Sequence, residues 1–374
     1  MSRHRQHAVP GARARRNRGC RPRRILSASP PDTTWEALAP WQQTLASTLF
    51  ATRERWPHAA LIGGREGLGK RRLAMHLARS LLCETPRDDG SACGICTSCH
   101  LVQSASHPDL RLIEPVTYDE DGGAQRVDSI GVDRIRELTA FVQLSSHRRV
   151  AKVGVIVPAE VLNPAAANAL LKTLEEPPPA TFLLLVSHQP GRLPATIVSR
   201  CRRISVVDPR PAIAAAWLAE QGIADAHGAL ALAGGAPFLA LSLADPQIQR
   251  GRDRLLALLA RPEQFSPLAI GATLEALPKD ERVPALGQVL YWLLTWATDL
   301  AAVASGGAPH FHPDRREALG DLAARVARVP LFRYYQTLLR QRTLLAHPLQ
   351  PRLVAEALLF EYQSLFIPSI ASAF

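Results

Sequence analysis

No stretch of this 374-residue sequence approaches ~18 consecutive apolar residues, so nothing in it reads as a membrane span. The basic N-terminal stretch is not followed by an apolar h-region, and a secretory signal is not expected. No acidic residue precedes Asp32, and no internal repeat is evident, which removes the repeat architectures. Cysteine is sparse, six in all: Cys20, Cys83, Cys93, Cys96, Cys99 and Cys201. Without a secretory context, disulfides are not expected either.

The sequence carries a formal charge of +11, which invites a nucleic-acid reading. Nine of the 44 basic residues, however, are arginines within residues 1–24, and the remaining 35 face 33 acids. The folded body is therefore nearly neutral. Residues 1–34 are rich in Arg, Pro and Gly without apolar periodicity and are expected to be disordered. Pro and Gly spoil the amphipathic helix of a transit peptide. A plain extension ahead of Trp35 is the favoured reading, and a weak DNA-binding arm is the sharper alternative. A hydrophobic content of 47% against 21% charged residues is an ordinary globular balance, enough for two or three domains.

Short apolar runs alternate with helical patterns. Buried strands are expected over residues 59–63, 110–115, 150–157 and 181–187, with helices over 40–55, 71–83, 133–144 and 164–176. Residues 118–128 are polar, contain Gly122-Gly123 and read as a loop. Strands alternating with helices argue for a mostly parallel sheet covered on both faces. Asp208-Pro209-Arg210-Pro211 reads as a linker, and every later apolar pattern is helical.

Residues 64–70 fit the first seven positions of G-x-x-x-x-G-K-[ST], with Gly64, Gly67, Gly69 and Lys70 in place. Such a loop curls backbone N–H groups around a phosphate at a helix N-terminus. The eighth position, which should offer a hydroxyl to Mg²⁺, is Arg71, a cation with no lone pair to give. The strand at 150–157 ends in Pro158 where an acid is expected first. Glu160 falls two positions late and is expected to point elsewhere. With both metal-holding groups absent, useful ATP hydrolysis is not expected. The loop is a degenerate nucleotide site at which ATP binding is doubtful, or a tight turn with no ligand.

Cys83, Cys93, Cys96 and Cys99 follow a C-x9-C-x2-C-x2-C spacing in a loop-like segment with little core of its own. Four thiolates suit a structural, closed tetrahedral Zn²⁺ site. An iron–sulfur cluster is the rival, but the fourth Cys-Pro of that pattern is missing. His100 and His107 nearby are read as ordinary surface or packing residues.

The stretch Asn168-Ala169-Leu170-Leu171-Lys172-Thr173-Leu174-Glu175-Glu176-Pro177-Pro178, followed downstream by Ser199-Arg200-Cys201, resembles the bacterial clamp-loader family, the gamma/tau and delta-prime subunits of DNA polymerase III. The order of phosphate-type loop, four-cysteine insertion, strand, helix and Ser-Arg-Cys resembles it too, over residues 40–241. The resemblance implies an AAA+ P-loop-type α/β domain (35–207) with a zinc module at 83–99, a small helical lid domain (208–248) and an all-α C-terminal collar domain (249–374). Arg71 and Pro158 are departures that delta-prime-type members tolerate. The resemblance implies that Arg200 is an arginine finger entering a neighbour's ATP site. It also implies a hetero-oligomeric ring with gamma/tau and delta subunits that acts on a sliding clamp and primer-template DNA in the bacterial cytoplasm, as part of a DNA-directed DNA polymerase and with no activity expected of this chain alone. Ser187 stands where the family senses γ-phosphate. Residues 233–237 resemble its second sensor region, but no arginine stands there.

Overall fold

The structure, a computed structural model, describes residues 37–118, 124–126, 129–344 and 350–367. The expected disordered extension and part of the polar 118–128 loop lie outside the described residues. The strands are β1 (Ala59–Gly63), β2 (Leu110–Ile113), β3 (Val116–Tyr118), β4 (Ala124–Arg126), β5 (Lys152–Ile156), β6 (Thr181–Ser187) and β7 (Arg202–Ser205). The helices of the first half are α1 (Pro40–Ala51), α2 (Lys70–Leu82), α3 (Thr97–Gln103), α4 (Val132–Gln143), α5 (Pro164–Glu175) and α6 (Ala195–Val198). They are followed by α7 (Pro211–Glu220), α8 (Ala226–Leu232), α9 (Pro237–Leu243), α10 (Pro246–Leu259) and α11 (Pro267–Glu275). The last are α12 (Lys279–Ala304), α13 (Arg316–Ala323), α14 (Arg328–Leu344) and α15 (Pro351–Ser364).

Five strands form a parallel sheet in the order β2-β5-β6-β1-β7. Every residue of β5 is buried, and β6 is nearly so, because helices cover both faces and leave no solvated side to alternate with. The period-2 pleat divides the strand residues between the faces. Ala60, Ile62, Val153, Val155, Leu184 and Val186 pack under α1 and α2 with Leu49, Leu73 and Leu77. Ala59, Leu61, Ile156, Leu183 and Leu185 pack under α4 and α5 with Ile135, Leu138, Leu170 and Leu174. The carboxyl ends of β1, β6 and β7 come level, Gly63 pairing with Ser187 on one side and Ser205 on the other. Strand order reverses at β1, so the crevice above it is where ligands of open α/β sheets bind.

The edge strand β7 was not expected. Only Ile204 of its four residues is buried, the pattern of a partly solvated edge rather than an apolar run. Instead of a plain loop, residues 116–118 and 124–126 form a short antiparallel hairpin.

The helical half is held by one continuous core. Trp217, Leu256, Leu290, Trp292, Trp296, Tyr334, Leu338, Leu359 and Tyr362 all belong to it, joining α7 to α15. Within it Trp296 Nε1 donates to the Tyr362 hydroxyl (2.9 Å), which donates to the Leu259 carbonyl (2.7 Å), whereas Trp292 Nε1 and the Tyr334 hydroxyl are buried without a hydrogen-bond partner among the described residues. Among the described residues no single helix is long and apolar enough to cross a membrane.

Candidate functional site

β1 ends at Gly63 and α2 begins at Lys70, so the loop of residues 64–69 sits at the switch point of the sheet. Gly67 has φ +78°, and a Cβ there would lie 2.9 Å from the Cβ atoms of both Ala236 and Leu239. Glycine therefore lets α9 close directly onto the loop. The Lys70 side chain is buried, and its ammonium donates to the Arg65 carbonyl of the same loop. Burial lowers its pKa to about 8, against the opposing pull of Glu160, Glu66 and Asp208.

The loop carbonyls are held by neighbouring elements. Phe238 N–H donates to Gly67 O (2.9 Å), and Trp41 Nε1 and Gln42 Nε2 each donate to Leu68 O (3.2 Å). Gln42 also reaches Gly69 O at 2.7 Å. Trp41, Trp217 and Phe238 stack edge-on or tilted at 4.8–5.8 Å between ring centres, clamping α1, α7 and α9 together beside the loop. Arg65 bridges outward, to Asp208 at 3.0 Å and to the Gly234 carbonyl at 2.9 Å in the second-sensor-like turn. The loop thus has its curled shape fixed by protein contacts. Gln42 was missed in the sequence because a buried polar residue on a helix leaves no periodicity signal.

The two metal-ligand positions are occupied otherwise. Arg71 Nε forms an ion pair with Glu114 Oε1 at 2.9 Å, just past the end of β2. Pro158 follows β5, and Glu160 accepts the His188 N–H at 2.9 Å. Its charge, with those of Glu66 and Asp208, favours the ammonium form of Lys70. The Ser187 hydroxyl accepts the Gln189 N–H at 3.2 Å.

Arg200 follows the short helix α6. Its Nη1 donates to the Thr196 carbonyl (3.0 Å), and its Nη2 pairs with Glu175 Oε1 (2.6 Å) at the end of α5. The side chain remains 35% exposed, open to a group from outside the chain. Cys201 beside it is buried, and burial pushes its thiol up to about 11. It is an inert packing residue rather than a ligand.

The four clustered cysteines converge, with Sγ atoms all within 4.8 Å of one another. Cys83–Cys96, Cys93–Cys99 and Cys83–Cys99 are separated by 3.8, 3.9 and 3.7 Å. Tetrahedral Zn–S bonds of ~2.3 Å place sulfurs about 3.8 Å apart, so the set fits a single tetrahedral ion. Backbone N–H groups of Cys93, Ile95, Cys96 and Cys99 point at the sulfurs at 3.3–3.4 Å, the arrangement that stabilises thiolates. Burial foremost pushes the Cys83 thiol up to about 12, whereas hydrogen bonds from Thr85 and Ile95 bring Cys93 down to about 5. A cation at the centre removes that conflict by favouring all four thiolates. The segment is not wholly loop-like: Cys99 lies on α3, whose N-cap is Cys96.

Polar contacts join this module to the sheet. Glu84 accepts from Ser98 Oγ and Arg148 Nε, both at 2.9 Å, and His107, a packing residue as expected, meets Ser98 at 3.1 Å. Beneath them lies a buried pair, Asp109 and Lys152, at 3.5 Å.

Comparison with known proteins agrees with this arrangement. A family model described as DNA polymerase III, delta subunit, matches residues 42–209. The DNA polymerase III subunit delta' of Pseudomonas aeruginosa is 40% identical over 238 residues, 62% of this chain and 70% of the relative. That of Escherichia coli K12 is 35% identical over 291 residues, 76% of this chain and 82% of the relative. The tau subunit of Bacillus subtilis 168 is 33% identical over 162 residues, 43% of this chain and 26% of the relative. With a parallel sheet bearing a phosphate-type loop, a four-cysteine centre and kinship of this strength over most of the chain, the chain belongs to the DNA polymerase III delta' subunit family of clamp-loader proteins.

Proposed function

We propose that this chain is a non-hydrolysing subunit of a clamp-loader ring that supplies Arg200 to the ATP site of a neighbouring subunit. The observation that carries the first half is the Arg71–Glu114 ion pair at 2.9 Å. Where a hydroxyl would hold Mg²⁺, a fixed cation stands instead, and phosphoryl transfer depends on Mg²⁺ neutralising the β and γ oxygens. The second half is supported by Arg200, a partly exposed guanidinium on the Ser-Arg-Cys turn. A planar, always-charged fork suits the charge that develops on a transferred phosphoryl group.

In this reading the partners are gamma/tau and delta subunits, and the ring acts on a sliding clamp at primer-template DNA. The ion in the four-cysteine centre is zinc, held by Cys83, Cys93, Cys96 and Cys99. It supplies structural order only, because four thiolates leave no open coordination position. The glycines and Lys70 of the loop keep a scaffold role.

The test is reconstitution with the partner subunits and measurement of DNA-stimulated ATP hydrolysis. Arg200→Ala should leave ring assembly intact while the site it serves loses on the order of 10³-fold in rate. An assembled ring whose ATP turnover is indifferent to the substitution removes the finger assignment.

A further inference from the structure

We propose that Glu175 is a positioning residue for Arg200, holding the guanidinium within its own subunit until the phosphates of a neighbour's nucleotide take its place. This rests on the reading of Arg200 as a finger in trans.

The geometry supplies the reason. The outer nitrogens of Arg200 are both engaged by the subunit's own groups, Nη1 on the Thr196 carbonyl at 3.0 Å and Nη2 on Glu175 at 2.6 Å. Two of the five guanidinium N–H groups are thus taken up within the subunit, and the Glu175 carboxylate repels a phosphate brought to the others, so a close bidentate hold on a phosphate favours release of that carboxylate. The Thr196 carbonyl is a weak neutral acceptor within the same turn. Glu175 is a full charge from another element, and it is the competitor that matters.

The Glu175 backbone is well anchored, since α5 is fastened to the sheet by Leu170 and Leu174. Its carboxylate is also placed against helix electrostatics. An acid in the final turn of a helix meets the negative end of the macrodipole, so α5 by itself would be better served by a neutral residue. Arg200 offsets that cost.

The hold is also loose enough to release. The two side chains are 35% and 49% exposed, and a screened surface pair of this kind is weak. A nucleotide's phosphates, with several negative charges and oxygens spaced for a fork, outbid one solvated carboxylate. Glu175 therefore keeps the finger paired in the free subunit at a small fixed cost to nucleotide binding next door.

The experiment compares four reconstituted loaders carrying the parent chain, Glu175→Gln, Arg200→Ala or both, reading KM for ATP and kcat of DNA-stimulated hydrolysis separately. Removing the competitor should lower KM by about two- to five-fold with kcat unchanged, the signature of uniform binding. The effect should vanish in the Arg200→Ala background. Thermal melting of the Glu175→Gln chain should match the parent, which separates the effect from misfolding. If Arg200→Ala lowers activity but Glu175→Gln changes nothing, or acts equally without Arg200, the positioning role is wrong and the finger stands. If Glu175→Gln lowers kcat, Glu175 preorganises the finger rather than competing for it, and the proposal is overturned. If Arg200→Ala itself changes nothing, the finger reading fails and takes this one with it.

Discussion

Asp109→Ala is the substitution that should damage the fold most for its size. The carboxylate is fully buried, accepts the N–H groups of His147 and Arg148 at 2.9 Å each and the Ser146 hydroxyl at 3.1 Å, and faces Lys152, itself 3% exposed, at 3.5 Å. Truncation strands a buried ammonium and two N–H groups, a defect that costs about 3–5 kcal/mol. Domain stabilities are only ~5–15 kcal/mol. At roughly 2–4 °C per kcal/mol, the melting midpoint should fall by about 6–20 °C. Circular dichroism melting and guanidinium titration are the assays. Asp109→Leu combined with Lys152→Met should recover part of the loss, since it removes both charges together. Burial acts to raise the Asp109 pKa, but its donors and Lys152 outweigh burial and the net shift is downward. Its contribution is therefore present above the unfolded value near 3.9 and is lost as pH falls through the lower folded value. A loss below about 1 kcal/mol for Asp109→Ala would refute this reasoning.

Two further outcomes are expected. His312 is buried, takes a hydrogen bond on Nδ1 from Arg252 (3.2 Å), meets Thr295 Oγ through Nε2 (3.0 Å) and has its pKa lowered to about 3, by burial first. The unfolded chain takes up a proton near 6.5 that the fold refuses, so stability rises with pH from about 3 to 6.5; parent stability should be on the order of 2 kcal/mol lower at pH 5 than at pH 7 on this account, and that part of the slope should disappear in His312→Asn denaturation curves. Elemental analysis should find one zinc per chain in the parent and in Cys201→Ser, but none in Cys99→Ser, where proteolysis of residues 84–96 should become rapid; full metal retention by Cys99→Ser would break the four-thiolate assignment.

Much of this was legible in the chain because the relevant signals are local. β1 and β6 are short apolar runs buried on both faces, and they fall where the runs fall. The cysteine spacing announces a tetrahedral centre, and Arg71 announces the missing metal ligand. β7 was illegible because an Arg-Arg-Ile-Ser edge strand buries one residue in four. α3 was hidden because its role is to carry Cys99 rather than to display an amphipathic stripe. The pairs that tie the molecule together join residues far apart in sequence: Asp109 with Lys152, Glu84 with Arg148, Glu175 with Arg200. No pattern in either partner reports such a pairing; it arises only when the strands and helices that carry the partners pack together.

The most direct measurement is ATP turnover by the purified chain alone, with Mg²⁺ and primed DNA present. With Arg71 paired to Glu114 and Pro158 following β5, phosphate release should be no faster than in a protein-free blank. Brisk, Mg²⁺-dependent release that Lys70→Ala abolishes would contradict it.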